Sequence, residues 1–468
     1  MSRRAWLVAA GIVAFHLATA NIYGYHRDEM YYLASGRRLA WGYVDHPPLT
    51  PLLYRMSDIL FGSSPFALHI LPALLSGVVV LLTAHMAAEL GGDRWAQFLA
   101  ALGAATVPMF LTIGHFLPTV TMEVILWAAA VLLVVRILKG GDRRLWLGVG
   151  LVLGVAMLDK WTTVLLVAGL GTGLLLTPAR RVLATPWAVV GAAVAFVVWL
   201  PNLVWQAEHG WPQFTVAGAL RNYADAVTAA PYQIVLLGAV SVVLGIPGFL
   251  WLVRAPAAQP FRPLALAFIA IVVLVMVTGG KPYYAAVYTP VLIAAGAVAA
   301  SGAGWPPAVW MLGLGLLFAP LAMPLLPLRS ADQVRRINKD LGEMTGWPHV
   351  VDVVQGVYRQ HPGATIFTAN YSEAGILELL GPARGLPQPI SGHNNYWYWG
   401  HPHARSDETI IVGYFEGDVR RWWGDVHRVA TIRTPGGVHN QEDGTPVWIG
   451  RQQRLDWYRM WPDTKHFQ

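Results

Sequence analysis

The feature that most constrains this chain is a succession of apolar runs, because a helix needs about 20 mostly apolar residues to cross a bilayer. Only 13% of the 468 residues are charged, against about 25% in a soluble protein. We therefore predict a polytopic α-helical membrane protein with about eleven transmembrane helices. The predicted spans are residues 5–23, 66–89, 96–113, 119–138, 145–158, 161–177, 184–203, 232–253, 264–278, 283–300 and 308–328.

The segment 145–177 could hold one long helix or two short ones. Arginines flank it at both ends, at positions 143, 144, 180 and 181. Positive charge stays on the cytoplasmic side of a membrane, so both ends face inward. The segment is therefore predicted as a hairpin with Asp159 and Lys160 at its outer tip.

The same rule orients the rest of the chain as a multi-pass protein of the inner (plasma) membrane, with its N-terminus in the cytoplasm. The first apolar run ends without a small-residue cleavage pattern, so we interpret it as a retained span. The net charge of +7 comes from cations in short loops, which favours a topology signal and anionic lipid headgroups over nucleic acid. There are no cysteines, which excludes disulfides and thiolate metal sites.

A large polar loop, residues 24–64, follows the first span. Connections between helices usually take about 2–8 residues, so this loop is too long to be only a connection. Its segments 29–39 and 49–60 mix apolar and aromatic positions with Arg and Asp, a pattern typical of helices that lie flat at the interface. We predict that this extracytoplasmic loop belongs to a transmembrane catalytic domain, residues 1–328.

From residue 329 onward the charge density rises and the apolar runs shorten. Strands are predicted at 365–369, 409–414, 428–432 and 446–450, and helices at 350–359, 372–380 and 419–423. Alternating helices and strands favour an α/β domain. We therefore predict a C-terminal extracytoplasmic α/β domain over residues 329–468.

Ionisable groups gather at the predicted outer ends of the spans. They are Glu123, Lys160 and Lys281, together with Asp28 and Glu29 of the first loop. Lysines stabilise phosphate oxygens and a carboxylate takes a proton from a hydroxyl, so the set suits group transfer from a phosphate leaving group. Each residue also has a structural alternative: a solvated loop pair, lysines that reach toward the interface, or a carboxylate that complements a helix dipole.

Several motifs resemble one known family. Asp28-Glu-Met-Tyr-Tyr32 and Leu39-Ala-Trp-Gly-Tyr-Val-Asp-His-Pro-Pro-Leu49 resemble the protein O-mannosyltransferase-like superfamily, glycosyltransferase family 39, which includes bacterial aminoarabinose transferases of lipid A. Further similar stretches are Thr121-Met-Glu123, 154–160, 200–212, 280–284, 370–375 and 391–400. The resemblance covers nearly the whole chain and implies the C-type glycosyltransferase fold.

The resemblance implies an inverting membrane glycosyltransferase that moves a sugar from a polyprenyl-phosphate donor to an extracytoplasmic lipid, glycan or protein. It implies Asp28 as the base. The predicted catalytic residues are Asp28, Glu29 and Glu123, and the predicted ligands of the donor phosphate are Lys160, Lys281, His46, Arg27 and Tyr284. The lipid A transferases have a lysine where this chain has His46, so the role passes to a different side chain.

A divalent metal is a further option that the resemblance implies, with Asp45 and His209 as the matching pair. Zinc prefers about four ligands, so two residues are a poor metal site by themselves. An ordinary loop histidine and a rigid Asp-His-Pro-Pro turn at residues 45–48 are the structural alternatives.

The C-terminal domain contains an amide-rich and aromatic stretch that suits a sugar, whose apolar C–H faces are ringed by hydroxyls. The predicted acceptor-binding residues are His393, Asn394, Asn395, Tyr396 and Trp397. The alternative is that this stretch only docks the domain. Two rival functions for the whole chain are a lipid transporter or flippase, which would favour internal repeats, and a non-enzymatic envelope assembly protein.

Overall fold

The computed structural model describes residues 1–219, 238, 240–335, 338–415 and 419–467. It divides the chain into two compact units. Unit 1 comprises Met1–Ala20, His46–Thr50 and Leu60–Met323, and unit 2 comprises Asn21–Asp45, Pro51–Ile59 and Pro324–Gln468. The first loop was assigned to the membrane domain from the sequence, whereas most of it groups here with the C-terminal residues.

Unit 1 is helical. Its helices are α1 (Arg3–Thr19), α4 (Pro65–Glu89), α5 (Arg94–Thr106), α6 (Pro108–His115), α7 (Thr119–Leu138), α8 (Leu145–Met157), α9 (Thr163–Leu175), α10 (Pro186–Glu208), α11 (Pro212–Ala219), α12 (Ile246–Arg254), α13 (Arg262–Thr278), α14 (Thr289–Ala299) and α15 (Pro306–Ala322). Its buried core lies around α4, α5, α7 and α14. Two first-loop helices, α2 (Arg27–Gly36) and α3 (Leu49–Phe61), confirm the two predicted there.

Four helices of the described residues are long and apolar enough to cross a membrane: Pro65–Glu89, Thr119–Leu138, Pro186–Glu208 and Pro256–Thr278. Five shorter apolar helices accompany them: Leu145–Met157, Thr163–Leu175, Ser241–Arg254, Tyr283–Ala299 and Pro306–Ala322. The chain is thus a polytopic helical membrane protein, and the count of eleven spans stays a prediction. Part of the predicted span 232–253 lies outside the described residues.

One predicted span, 96–113, is broken. α5 and α6 meet at an angle of 66°, and Val107 between them has an extended backbone with φ −69° and ψ 122°. Pro108 explains the break, because the residue before a proline avoids the α conformation and the proline itself has no N–H to donate. The hairpin segment, by contrast, forms two separate helices, α8 and α9, as predicted.

Small residues set the distance between α8 and α10. A Cβ added at Gly150 would collide with the carbonyl of Gly191, and one added at Gly191 would collide with the carbonyl of Trp146. Small residues let helix backbones approach closely in membranes. The hairpin that carries Asp159 and Lys160 is therefore held against α10 by backbone contact.

Unit 2 contains a five-stranded sheet with the order β2-β1-β3-β5-β4. β1 pairs in parallel with β2 and β3, and β5 runs antiparallel to β3 and β4. The strands are β1 (Thr365–Thr368), β2 (Ile390–Ser391), β3 (Glu408–Val412), β4 (Trp423–Thr431) and β5 (Pro446–Gln453). Its further helices are α16 (Leu328–Arg335), α17 (Trp347–Gln360), α18 (Tyr371–Leu380), α19 (Asn395–Trp399) and α20 (Trp457–Thr464).

Unit 2 thus contains helices and strands in alternation, as predicted, but α16, α19 and α20 were not predicted and other elements differ locally. The bounds 329–468 of a separate domain stay a prediction. β2 was not predicted, and the predicted helix 419–423 is only a short turn, Val419–Arg421, after which Trp423 begins β4. Trp423 is buried among Phe367, Trp457 and other core side chains. Burial of this large side chain against the sheet explains why the strand begins earlier than its local pattern indicates.

Candidate active site

The first-loop helix α2 begins with a capping box. Its N-cap residue His26 accepts a hydrogen bond from the backbone of Asp28 through Nδ1, and Glu29 Oε2 accepts one from the backbone N–H of His26 at 2.8 Å. The Tyr54 hydroxyl lies 3.4 Å from the other Glu29 oxygen. The Glu29 carboxylate is fully buried, so its contacts are those of a helix cap. Its predicted catalytic role stays a prediction.

Asp28 differs from its neighbour, because 31% of its side chain is exposed. The hydroxyl of Tyr371, the first residue of α18, donates a hydrogen bond of 2.8 Å to Asp28 Oδ1. Oδ2 lies 3.9 Å from His26 Nδ1, beyond hydrogen-bonding distance. The carboxylate is therefore held at one oxygen while the side chain keeps access to solvent.

Arg27 was predicted as a phosphate ligand. Its guanidinium lies 4.0 Å from Asp28 Oδ1 and 4.0 Å from Glu343 Oε2, and 5.0 Å from the centre of the Tyr371 ring. It also donates to the side chain of Gln441. The carboxylates of Asp28 and Glu343 already place negative charge near the Arg27 guanidinium. The role of Arg27 toward a phosphate stays a prediction.

In unit 1, Lys160 and Glu123 form a buried ion pair. Lys160 Nζ lies 3.2 Å from Glu123 Oε2, and the two side chains are 16% and 0% exposed. Lys160 Nζ also lies 4.9 and 5.0 Å from the ring centres of Tyr283 and Tyr284. Thr162 donates a hydrogen bond to the other Glu123 oxygen. The structure thus brings together three residues that the sequence singled out: Glu123, Lys160 and Tyr284.

Asp159 was predicted only as the tip of the hairpin, but it is completely buried. Thr50 Oγ1 donates to Asp159 Oδ1 at 2.9 Å, and the backbone N–H of Leu49 donates to the carbonyl of Leu158 at 2.9 Å. The Asp-His-Pro-Pro turn is therefore fixed to the hairpin by the residues that follow it. His46 in that turn is buried, with Nδ1 3.1 Å from the carbonyl of Pro47.

The remaining predicted phosphate and metal residues lie at the ends of helices or in a turn of the first loop. Lys281 precedes the 3₁₀ segment Pro282–Tyr288. His209 ends α10, where its ring stacks on Trp205 with centres 3.9 Å apart. Asp45 accepts a hydrogen bond of 2.7 Å from the Tyr31 hydroxyl. Among the described residues no group of three or more His, Asp or Glu side chains could hold a metal ion, so the metal option gains no support.

The predicted acceptor-binding stretch is engaged in internal contacts. Asn395 Oδ1 accepts from the backbone of Val44 at 2.9 Å, and its amide group donates to Tyr31. Tyr396 donates to Glu378 Oε2 at 3.0 Å, and Trp397 Nε1 donates to the carbonyl of Trp461. His393, Asn394, Asn395 and Tyr396 are buried. These contacts tie the stretch to the first loop and to α18 and α20 within unit 2, and its acceptor-binding role stays a prediction.

Sequence reasoning missed Tyr371 and three buried glutamates, Glu343, Glu373 and Glu442. Asn370-Tyr-Ser-Glu373 is visible in the sequence as a capping box, which the structure contains, but no local signal links it to the first loop. Burial raises the pKa of both Glu373 and Glu442, and the charge of Glu442 raises the pKa of Glu373 further. Their separation along the chain hid this pairing.

Comparisons with known proteins agree with the motifs. A family model described as dolichyl-phosphate-mannose-protein mannosyltransferase matches residues 45–205. The lipid A galacturonosyltransferase RgtD of Rhizobium johnstonii is 29% identical over 188 residues, which are 39% of this chain and 38% of the length of that protein. The chain is therefore similar to the protein O-mannosyltransferases over residues 45–205 and to a lipid A glycosyltransferase over part of its length.

Solved structures show that the chain has the fold of ArnT, a membrane protein with the C-type glycosyltransferase fold. ArnT from Cupriavidus metallidurans in the apo state matches with a TM-score of 0.63 and 14% identity, over 95% of this chain and 97% of that one. The same protein bound to undecaprenyl phosphate matches with a TM-score of 0.62 and 13% identity. At this identity the likeness describes the fold and leaves the substrates to be argued from residues.

Proposed function

We propose that this chain is an inverting glycosyltransferase that transfers a sugar from a polyprenyl-phosphate donor to an acceptor hydroxyl outside the cytoplasm. The observation that carries the proposal is the Asp28 carboxylate, which is fixed at Oδ1 and partly open to solvent, in a chain that is similar to membrane glycosyltransferases. ArnT, which has this fold, was solved with undecaprenyl phosphate bound, and that complex supports a lipid-phosphate donor here.

In the proposed reaction the acceptor oxygen attacks the anomeric carbon on the face opposite the phosphate. The new bond to the acceptor forms as the bond from carbon to phosphate oxygen breaks, and the polyprenyl phosphate leaves with the electron pair. The Asp28 carboxylate takes the hydroxyl proton. Lys160 stabilises the phosphate oxygens. Glu123 holds the ammonium group in place, and Thr162 holds the Glu123 carboxylate. Lys281, Tyr284, His46 and Arg27 are the further proposed phosphate residues.

The test separates base from phosphate ligands. Mass spectrometry of envelope glycolipids, glycans and proteins, from cells with and without the gene, identifies the sugar and acceptor. We expect purified Asp28→Asn to lose about 10²–10⁴ in turnover while it binds donor normally. Lys160→Met with Lys281→Met should instead weaken donor binding. Near-normal turnover in Asp28→Asn would refute the base, and unchanged donor binding in the double variant would refute the lysines.

The same experiment distinguishes the rival functions. A transporter would change the distribution of a lipid without a new glycosidic bond, and an assembly protein would keep its function in Asp28→Asn. A gene-dependent product that carries one additional sugar favours the transferase over both.

We also propose that the C-terminal segment lies outside the cytoplasm. The chain has no cysteine, so a single introduced cysteine is a clean probe. Asp407 is an exposed residue of the C-terminal segment, and Asp142 is an exposed residue in the connection between α7 and α8. A membrane-impermeant maleimide should label Asp407→Cys in intact spheroplasts and Asp142→Cys only after permeabilisation, and the reverse pattern would overturn the orientation.

A further inference from the structure

Tyr371 occupies a rigid position at the start of α18, directly after β1. The preceding residue, Asn370, is the N-cap, and its side chain accepts from the backbone N–H groups of Ser372 and Glu373 at 2.8 and 2.9 Å. Glu373 Oε2 in turn accepts from the backbone N–H of Asn370 at 3.1 Å. This reciprocal cap fixes the direction in which the helix begins.

The backbone of Tyr371 has a second support. Its N–H donates to His393 Nδ1 at 3.3 Å, and the N–H of His393 donates to Ser391 Oγ at 3.2 Å. Burial, followed by the nearby His466 and Arg27, lowers the pKa of His393 well below its ordinary value. The imidazole is therefore neutral at physiological pH, and its Nδ1 can accept the hydrogen bond.

The ring of Tyr371 is held by two first-loop residues. Tyr31 stacks on it with ring centres 4.6 Å apart, and the Arg27 guanidinium lies 5.0 Å from its centre. Both contacts involve the aromatic face and would survive removal of the hydroxyl. The phenol therefore has a defined position that does not depend on its own hydrogen bond.

The hydroxyl donates to Asp28 Oδ1 at 2.8 Å. Burial, and then the charge of Asp28, raises the pKa of Tyr371 well above its ordinary value, so the phenol keeps its proton. A neutral donor bonded to a carboxylate forms a charge-assisted hydrogen bond, which is short and directional. It fixes the rotation of the carboxylate, and Oδ2 receives no hydrogen bond from Tyr371.

We infer that Tyr371 is a positioning residue for sugar transfer: its hydroxyl orients the Asp28 carboxylate so that Oδ2 receives the proton of the acceptor hydroxyl. This inference rests on the proposed function, and it assigns a residue of the C-terminal segment to the reaction. The purely structural alternative is that Tyr371 only joins the first loop to the sheet. That alternative predicts a loss of stability and of protein amount, with normal turnover for each folded molecule.

The experiment compares Tyr371→Phe, Asp28→Asn and the double variant as purified full-length proteins with an undecaprenyl-phosphate sugar donor. Tyr414→Phe is the matched control, since its hydroxyl donates to the carbonyl of Gly444 at the exposed surface of the same unit. We expect Tyr371→Phe to lower kcat about 10- to 100-fold, the range for a hydrogen bond to a charged group, with an unchanged donor KM and in protein that stays folded at the assay temperature. Tyr414→Phe should keep full activity.

The double variant tests whether Tyr371 acts through Asp28. If it does, Tyr371→Phe should have no further effect in the Asp28→Asn background. Wild-type turnover in Tyr371→Phe, or an additional tenfold loss in the double variant, would overturn the positioning role. The proposed function would still stand in either case, provided that Asp28→Asn shows its expected loss of turnover. Full activity in Asp28→Asn would instead refute the proposed base. The same comparison can be made without an assumed donor by expressing each variant in cells that lack the gene. The amount of gene-dependent product is then divided by the amount of the variant protein.

Discussion

Removing the ammonium group of Lys160 should destabilise unit 1, because it leaves the Glu123 carboxylate charged in a buried site. At the observed 3.2 Å and an effective dielectric constant of about 20, the attraction is about 5 kcal/mol. Desolvation of both groups offsets much of it, but breaking a buried pair from one side costs about 3–5 kcal/mol. We expect Lys160→Met to lose an amount in this range, reduced by the hydrogen bond that Thr162 still donates.

The double variant Lys160→Met/Glu123→Gln should recover most of that loss, since no buried charge is left unpaired. The wild type, Lys160→Met, Glu123→Gln and the double variant form one double-mutant cycle, measured as free energies of unfolding in mixed detergent micelles. Lys139→Met is the matched control: Lys139 pairs with Glu89 at 2.9 Å but is 42% exposed, so about 0.2–1 kcal/mol is expected. A Lys160→Met variant no less stable than the control, or a double variant less stable than either single one, would refute the reasoning.

Two further predictions concern unit 2. Asn395→Ala leaves a buried backbone N–H of the first loop unpaired, so the free energy of unfolding should fall by about 1–3 kcal/mol; a raised acceptor KM at unchanged stability would support acceptor binding instead. Glu373 and Glu442 have raised folded-state pKa values, chiefly through burial, so the folded protein holds more protons than the unfolded one and stability should fall as pH rises from about 4.5. Glu442→Gln should make this decline less steep in thermal unfolding followed as a function of pH, and an unchanged slope would contradict the shift.

The parts of the fold that depend on local pattern could be predicted from the sequence. Apolar periodicity and flanking charge placed the helices of the first loop, the break in the hairpin and four of the five strands. The break at Pro108 could have been predicted, because proline interrupts helices. The apolar run continues across Pro108, however, so the segment was predicted as one span. β2 is only two residues long, and its pairing with β1 is what defines it as a strand, so no local signal could reveal it.

The candidate residues divide in the same way. Glu123 and Lys160 could be predicted because charges are rare in apolar sequence and therefore conspicuous. Their pairing depends on how α7 and the hairpin tip pack, which no spacing along the chain records. His393 and Asn395 were conspicuous for their chemistry and were therefore predicted to bind an acceptor. Chemistry that suits a sugar also suits a buried hydrogen-bond network, and the sequence alone does not distinguish the two.

The first loop itself gives the reason why the chain needs its C-terminal segment. A polar loop of this length would lose much conformational freedom on taking one shape, at about 1–2 kcal/mol for each backbone residue. Its own helices are too short to be stable alone. The backbone N–H of Gly24, at the start of the loop, donates to the carbonyl of Met344 at 2.9 Å, and that of Val44, near its middle, donates to Asn395 Oδ1 at 2.9 Å. Tyr371 holds Asp28 between these two points. A loop ordered in this way can present one carboxylate in one orientation, which a base needs and a freely moving loop could not provide.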